Sequence, residues 1–167
     1  MAEFRGAVER TLKFEGFLSN DKYDSGGLTK FGISKRAYPN LDIANLTVED
    51  AEKIYERDYF KACKCDEINS QIIAEQLFDI AVNCGTYAGA KLIQRAVNSV
   101  NIKAALKVDG KIGRLTIKAI ADCDEKTLNN QLVDLRVAFY KEIVNRNSTQ
   151  EKFLKGWLIR AEKFRIK

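Results

Sequence analysis

The hydrophobic residues of this chain recur mainly at intervals of three and four, the period of an α-helix. The first such segment covers residues 3–16, and its apolar stripe consists of Phe4, Ala7, Val8, Leu12 and Phe14. Gly16 predicts the end of this helix. Residues 19–27 are polar and predict a loop, and residues 28–33 predict a short strand in a small hairpin.

Capping residues mark the next two helices. Thr47 is placed to accept a backbone N–H, and Asp50 follows three positions later, which predicts a capping box and a helix through Tyr59. Ser70 precedes a segment that is apolar over most of its circumference and that ends at Gly85. A helix without a polar face is typical of a core, so we expect this one to be central and buried.

Four more helices are expected, at residues 88–100, 115–121, 125–145 and 149–164. Asp124 is the expected cap of the third. The fold class is therefore mainly α, with a small β-hairpin near the N-terminus. A chain of 167 residues suits one domain, or one core with a small subdomain, and a weak boundary lies near residues 100–107.

The composition narrows the possible chemistry. The chain contains no histidine, which excludes Ser-His-Asp and Cys-His nucleophiles and histidine-ligated metals. Carboxylates are then the natural catalysts, and we expect no metal site and no organic cofactor. The net charge of +5 favours an anionic partner such as nucleic acid, anionic lipid or cell wall, although a solvated surface with a mild basic excess explains it equally.

The four cysteines are Cys63, Cys65, Cys84 and Cys123. The spacing of the first two does not suit a zinc site, so buried or half-buried thiols of a reducing compartment are expected. A Cys84–Cys123 bridge stays open at this point. The start of the chain shows no signal peptide, and no apolar run reaches membrane-spanning length, so we expect cytoplasmic synthesis and no stable membrane insertion.

Three residues near the N-terminus could carry glycosidase chemistry. Glu15 ends an apolar helix, where desolvation would raise the pKa of its carboxyl and suit it to act as a general acid. Asp24 lies nine residues further on, and Thr29 follows on the expected strand. A pair of carboxyls across a cleft is what glycoside hydrolysis requires. The alternatives are a solvated Glu15, a turn role for Asp24 and simple β-propensity for Thr29.

These residues lie in a run that resembles the signature of glycoside hydrolase family 108, whose members are lysozyme-like N-acetylmuramidases. The run comprises Glu15-Gly16-Phe17, Asn20-Asp21 and Asp24-Ser25-Gly26-Gly27-Leu28-Thr29 with Gly32-Ile33. Further segments are similar to the family in the same order, namely Tyr55–Phe60, Cys65-Asp66, Phe78–Gly85, Asp109–Gly113 and Phe153–Leu158. The resemblance covers essentially the whole chain.

The resemblance implies a lysozyme-like helical fold that hydrolyses the glycan of peptidoglycan, with Glu15 as catalytic acid. It implies a catalytic region at residues 1–100 and a peptidoglycan-binding-like region at 101–167, packed on the same core. A similar pattern in phage lysozymes implies that Asp24 and Thr29 position water, although Thr29 comes one residue earlier than in those enzymes. A non-catalytic peptidoglycan-binding or secretion-assisting protein on the same fold is the alternative.

Three residues are candidates to contact substrate. Tyr23 and Tyr87 could stack on sugar faces, and the amide of Asn83 could bond an N-acetyl or hydroxyl group, with loop packing and a helix cap as the alternatives. Trp157 is a further stacking candidate, for which core packing is favoured. Peptidoglycan is the expected partner of a monomer that acts on the wall after release or export. No nucleic-acid motif is present.

Overall fold

The computed structural model describes residues 1–15 and 29–167. Within this part the chain forms seven α-helices and one two-stranded antiparallel sheet. The helices are α1 (Phe4–Glu15), α2 (Val48–Tyr55), α3 (Gln71–Cys84), α4 (Thr86–Val100), α5 (Arg114–Ala121), α6 (Glu125–Arg146) and α7 (Glu151–Glu162). The strands are β1 (Thr29–Lys30) and β2 (Ile33–Ser34), and the predicted mainly α class is confirmed. The lysozyme-like fold stays a prediction.

The predicted helix caps form. Thr47 and Asp50 make the reciprocal capping box of α2, and the helix continues as a π-helical turn over Glu56–Lys61. The Ser70 hydroxyl accepts the Ile73 N–H at the start of α3. The Asp124 carboxylate accepts the Thr127 N–H at the start of α6. Each cap satisfies a backbone donor that the first helical turn leaves without a partner.

Residues 29–33, predicted to lie in one short strand of a small hairpin, instead contain the turn of the hairpin. Thr29 pairs with Ser34 and Lys30 with Ile33, so the chain turns back at Phe31 and Gly32, whose φ angles are +52° and +74°. Two positive φ angles in a row are typical of a tight two-residue hairpin turn. A Cβ at Gly32 would lie 2.5 Å from the Tyr55 hydroxyl oxygen, so this glycine serves the hairpin's contact with α2.

Helix α3 is the buried centre, as its sequence predicts. It packs against α1, α4 and α6, and its buried apolar residues are Ile73, Ala74, Leu77, Phe78, Ile80 and Ala81. Phe78 meets Phe4 and Phe60 edge to face, with ring centroids 5.8 Å apart in both pairs. The same apolar core takes in Ile120, Leu128 and Leu132 from the C-terminal part of the chain.

The cysteines are free thiols, so the Cys84–Cys123 bridge that the sequence left open does not form. Cys63 and Cys65 are buried, and Cys84 and Cys123 are half-buried. Burial raises the pKa of the Cys63 thiol to about 12, because the thiolate would lose its hydration. In the described part of the chain, no helix has both the length and the apolar character needed to cross a bilayer.

Candidate functional site

Helix α1 runs alongside α3 in the same direction, with a constant register. The Glu3 N–H donates to Gln71 Oε1 at 2.7 Å, and the Thr11 hydroxyl donates to Asp79 Oδ1 at 3.0 Å. Both contacts join residues 68 positions apart. Glu15 and Asn83 each lie four residues, about one helical turn, after this second pair, and they are also 68 positions apart. Helix α1 ends at Glu15 and α3 ends at Cys84, so the two helices end side by side.

The register therefore places backbone position 15 and Asn83 at the same end of the α1–α3 pair. Thr29 opens β1, where its backbone pairs with Ser34. Tyr23 and Asp24 lie outside the described residues.

A buried charge cluster lies directly beneath Asn83. Asp79 receives one guanidinium from α6 and another from α7, because Arg136 Nη2 donates to Oδ2 and Arg160 Nη2 donates to Oδ1 at 2.8 Å. Asp79 and Arg136 are fully buried, and Arg160 is 8% exposed. Removing such charges from water costs several kcal/mol per ion, in order of magnitude, so only close pairing makes the cluster tolerable. The cluster fixes α3, α6 and α7 to one another.

A hydrogen-bond relay connects this cluster to Asn83. Arg136 Nε donates to the Tyr140 hydroxyl at 2.8 Å, and that hydroxyl lies 2.8 Å from Asn83 Oδ1. A guanidinium can only donate, so the tyrosine oxygen accepts from Arg136 and turns its own proton toward Asn83. Burial raises the pKa of Tyr140, which keeps this proton in place.

The relay determines how the Asn83 amide is oriented. Its Oδ1 accepts from Tyr140 and from the Cys84 thiol at 3.2 Å. The Nδ2 group consequently keeps its two donors for other partners, and none is found among residues 1–15 and 29–167. Asn83 is half-buried, so these donors are available to a ligand at the helix end.

Asn83 lines a groove that we call the α7 groove, of about 410 Å³. Its other lining residues come from α7 and are Lys152, Phe153, Gly156, Trp157, Ile159 and Arg160. Trp157 stacks between Tyr140 and Phe153, with ring centroids 5.2 Å and 5.8 Å away and interplanar angles of 28° and 27°. Phe153 is 46% exposed, so this row of rings opens to solvent at its outer end.

Tyr87 lies in a different cavity from Asn83. Its ring packs on the turn at Gly110, where a Cβ would come within 2.3 Å of ring carbons, and Lys91 Nζ lies 4.9 Å from the ring centroid. It lines a cavity of about 480 Å³ between α4 and α6. Tyr87 and Asn83, two of the three predicted substrate contacts, therefore line different cavities in the described part of the chain.

A cavity of about 1050 Å³ lies in the C-terminal part of the chain. We call it the basic cavity, because its lining includes five exposed cations, namely Lys103, Lys107, Lys111, Arg114 and Lys118. Its acids are Asp109 and Asp122. Asp109 holds the local turn by accepting from the Gln94 side chain and the Lys111 N–H, and these bonds lower its pKa. This carboxylate is therefore unsuited to donate a proton at neutral pH.

Sequence reasoning missed Asp79, Arg136, Tyr140 and Phe153 as parts of the site. One signal was present for Asp79, an acid inside the apolar run Phe78-Asp79-Ile80, since a buried acid needs a cationic partner. Another was the four-residue spacing of Phe153 and Trp157, which puts both rings on one face of a helix. No three acidic or cysteine side chains in the described ranges are arranged as metal ligands.

Comparison with known proteins agrees with the resemblance found in the sequence. Residues 8–85 match the family model described as Glycosyl hydrolase 108, and residues 88–162 match that described as Predicted Peptidoglycan domain. The two matches meet where α3 gives way to α4, earlier than the boundary expected at residue 100, which stays a prediction. No curated protein matches the chain.

A solved structure, that of Brucella abortus SagA, has a similar fold. The TM-score is 0.76 at 25% sequence identity, over 96% of this chain and 90% of SagA. The structural similarity thus extends through both matched regions. By these two matches, residues 8–85 are similar to the glycosyl hydrolase 108 family and residues 88–162 are similar to the peptidoglycan domain family.

Proposed function

We propose that the protein is an N-acetylmuramidase that cleaves peptidoglycan glycan strands, with Glu15 as the general acid. The observation that carries this proposal is the α1–α3 register, which leads from the Thr11–Asp79 contact to Glu15 and Asn83 one turn later. A carboxyl at this helix end would stand beside an amide that is already oriented. The glycosyl hydrolase 108 match over residues 8–85 supports the same chemistry.

In this proposal Glu15 protonates the glycosidic oxygen as the bond to the leaving sugar breaks. Asp24 and Thr29 hold the water that attacks the opposite face of the ring, which predicts inversion at the anomeric carbon. Asn83 donates from Nδ2 to the N-acetyl carbonyl of the sugar. An acceptor at this place is required because the relay through Tyr140 already occupies Asn83 Oδ1.

The C-terminal region then holds the polymer while the N-terminal region cleaves it. The peptidoglycan-domain match covers residues 88–162, which include the basic cavity. Peptidoglycan stems carry free carboxylates, which the five cations of the cavity would attract. This large cavity also favours the second candidate function, a non-catalytic peptidoglycan-binding or secretion-assisting protein. We further propose that the protein acts as a monomer without cofactor, on the wall after release or export.

Replacing Glu15 by Gln tests the proposal, since it keeps the shape of the side chain but removes the proton donor. Turnover of purified peptidoglycan should fall by about 10²-fold or more, the usual contribution of a general acid. Glu9→Gln is the matched control, because Glu9 is an exposed carboxylate on the same helix. A folded Glu15→Gln protein with near-normal turnover would refute the assignment, and activity that survives EDTA is expected throughout.

A further inference from the structure

We infer that the α7 groove is a sugar-binding subsite that stacks one N-acetylhexosamine of the glycan strand on the exposed ring of Phe153, next to Asn83. This inference rests on the proposed function for the identity of the polymer. In this inference α7, which lies far from Glu15 in sequence, binds the same glycan strand that Glu15 is proposed to cleave. Three independent features of the groove support it.

The first feature is the arrangement of the aromatic rings. In the core, Phe4, Phe60 and Phe78 meet edge to face with interplanar angles of 64° to 84°, so that each ring is enclosed by its neighbours. At the groove the Trp157 ring lies nearly parallel to the Phe153 ring and to the buried Tyr140 ring, with interplanar angles of 27° and 28°. Stacked rings cover one another's faces, so the free face of this row belongs to the exposed Phe153 ring. The C–H face of a pyranose buries apolar surface well against such a face.

The second feature is Gly156, which sits in α7 between the two stacking residues. A Cβ at this position would meet nothing within 4 Å, so the packing of the protein does not require a glycine. Glycine in a helix interior destabilises the helix relative to alanine. Gly156 lines the groove, so the missing side chain leaves space there that a bound sugar would occupy.

The third feature is the polar edge of the groove. Asn83, whose Nδ2 has no partner among the described residues, lines the same groove as the aromatic rings, and Lys152 Nζ lies 4.9 Å from the centroid of the Phe153 ring. An N-acetylhexosamine offers an apolar face to the rings and a carbonyl acceptor to the amide. The volume of about 410 Å³ falls within the usual range of small-ligand sites, about 300–1,000 Å³.

Trp157 is the single tryptophan of the chain, so intrinsic fluorescence reports directly on the groove. The test titrates the Glu15→Gln protein, from which the proposed general acid has been removed, with soluble glycan strands that no longer carry stem peptides. Free stem peptides are titrated in parallel, because a peptide carbonyl could also accept from Asn83. A saturable change with glycan and none with stem peptides is expected.

Two variants locate the binding. Phe153→Ala should raise the glycan Kd by about two- to tenfold, the range for one aromatic contact, and Gly156→Leu should abolish the saturable change by filling the groove. Lys155→Ala is the control, since Lys155 is exposed on α7 but does not line the groove. Should Gly156→Leu fail to fold, Phe153→Ala still decides, because Phe153 is 46% exposed.

The inference is overturned if glycan leaves the Trp157 emission unchanged, if stem peptides produce the change, or if Phe153→Ala binds as tightly as Lys155→Ala. These outcomes differ from failure of the proposed function. A glycan response together with normal turnover in Glu15→Gln would refute the catalytic proposal alone. Loss of turnover in Glu15→Gln without any glycan response would refute the subsite alone.

Discussion

The α7 groove and the basic cavity differ in size and charge, and each suits a different kind of ligand. The groove is small and aromatic, and its amide is held through Tyr140 by the buried Asp79 cluster. The basic cavity is more than twice as large, and its five cations are exposed. A fixed amide and stacked rings suit a neutral sugar of defined shape. Exposed surface cations suit an anionic polymer whose contacts need not be exact.

The comparison shows that charge alone does not identify the candidate catalytic end of the molecule. What distinguishes this end is the location of the α7 groove beside Asn83, at the end of α3. Both regions are basic or neutral on balance, and charge alone would select the larger cavity. Only the groove has fully buried charges beneath it that fix the orientation of a surface side chain. Four predictions test whether the two regions differ in this way.

The largest expected effect comes from Asp79→Ala. Removing this carboxylate leaves the Arg136 and Arg160 guanidinium groups without their shared counter-charge, so the free energy of unfolding should fall by about 3–5 kcal/mol. Denaturant unfolding followed by circular dichroism measures the change. Asp134→Ala is the control, because its ion pair with Arg165 is exposed and such pairs contribute only about 0–1 kcal/mol. Equal effects in the two variants would show that the buried cluster does not hold the fold.

Tyr140→Phe should have the next largest effect. It leaves Arg136 Nε and Asn83 Oδ1 without their common partner, which should cost about 1–3 kcal/mol of stability. The freed amide can then rotate, so turnover at a temperature where the variant is folded should fall as well. Unchanged turnover in a folded variant would mean that the relay serves stability alone.

Gly156→Ala should raise stability and weaken glycan binding at once. Alanine is favoured over glycine in a helix by about 1 kcal/mol, and the added Cβ meets nothing within 4 Å. Thermal unfolding and the Trp157 titration measure the two effects on the same sample. A variant that is more stable and binds glycan normally would show that the open space at Gly156 has no role.

The smallest effect per residue is expected in the basic cavity. The double variant Lys107→Gln and Lys111→Gln should bind insoluble peptidoglycan about threefold more weakly at low salt, as measured by co-sedimentation. The difference from the unmodified protein should disappear near 1 M salt, where charges are screened within about 3 Å. Phe153→Ala should weaken binding to the same degree at both salt concentrations. A salt-independent effect of the lysine variants would remove the distinction between the two regions.

The helices and their caps could be predicted because their determinants are local. The capping box of Thr47 and Asp50 requires only two residues that are three positions apart. The burial of α3 could be predicted because apolar residues lie on almost all sides of this helix. The hairpin was harder, because two-residue strands have no periodicity to detect. Its turn depends on a bond from the Tyr55 hydroxyl to the Phe31 carbonyl, across 24 positions.

The candidate site was predicted only in part, and the reason is again the range of its contacts. Asn83 could be proposed from the residues around it, but its orientation depends on Tyr140, which lies 57 positions away. Core packing was favoured for Trp157, whereas the ring is half-buried and lines a groove together with Phe153. The roles of Glu15, Asp24 and Thr29 stay predictions from the sequence and its resemblance.

The most direct test of the central claim identifies the sugar at the new reducing end after peptidoglycan digestion. Purified peptidoglycan is treated with the protein, reduced with borohydride and analysed by mass spectrometry. We predict reduced N-acetylmuramic acid at the new ends, and its loss with Glu15→Gln but not with Glu9→Gln. Reduced N-acetylglucosamine, or no new reducing end with well-folded protein, would contradict the proposal that this protein is a muramidase.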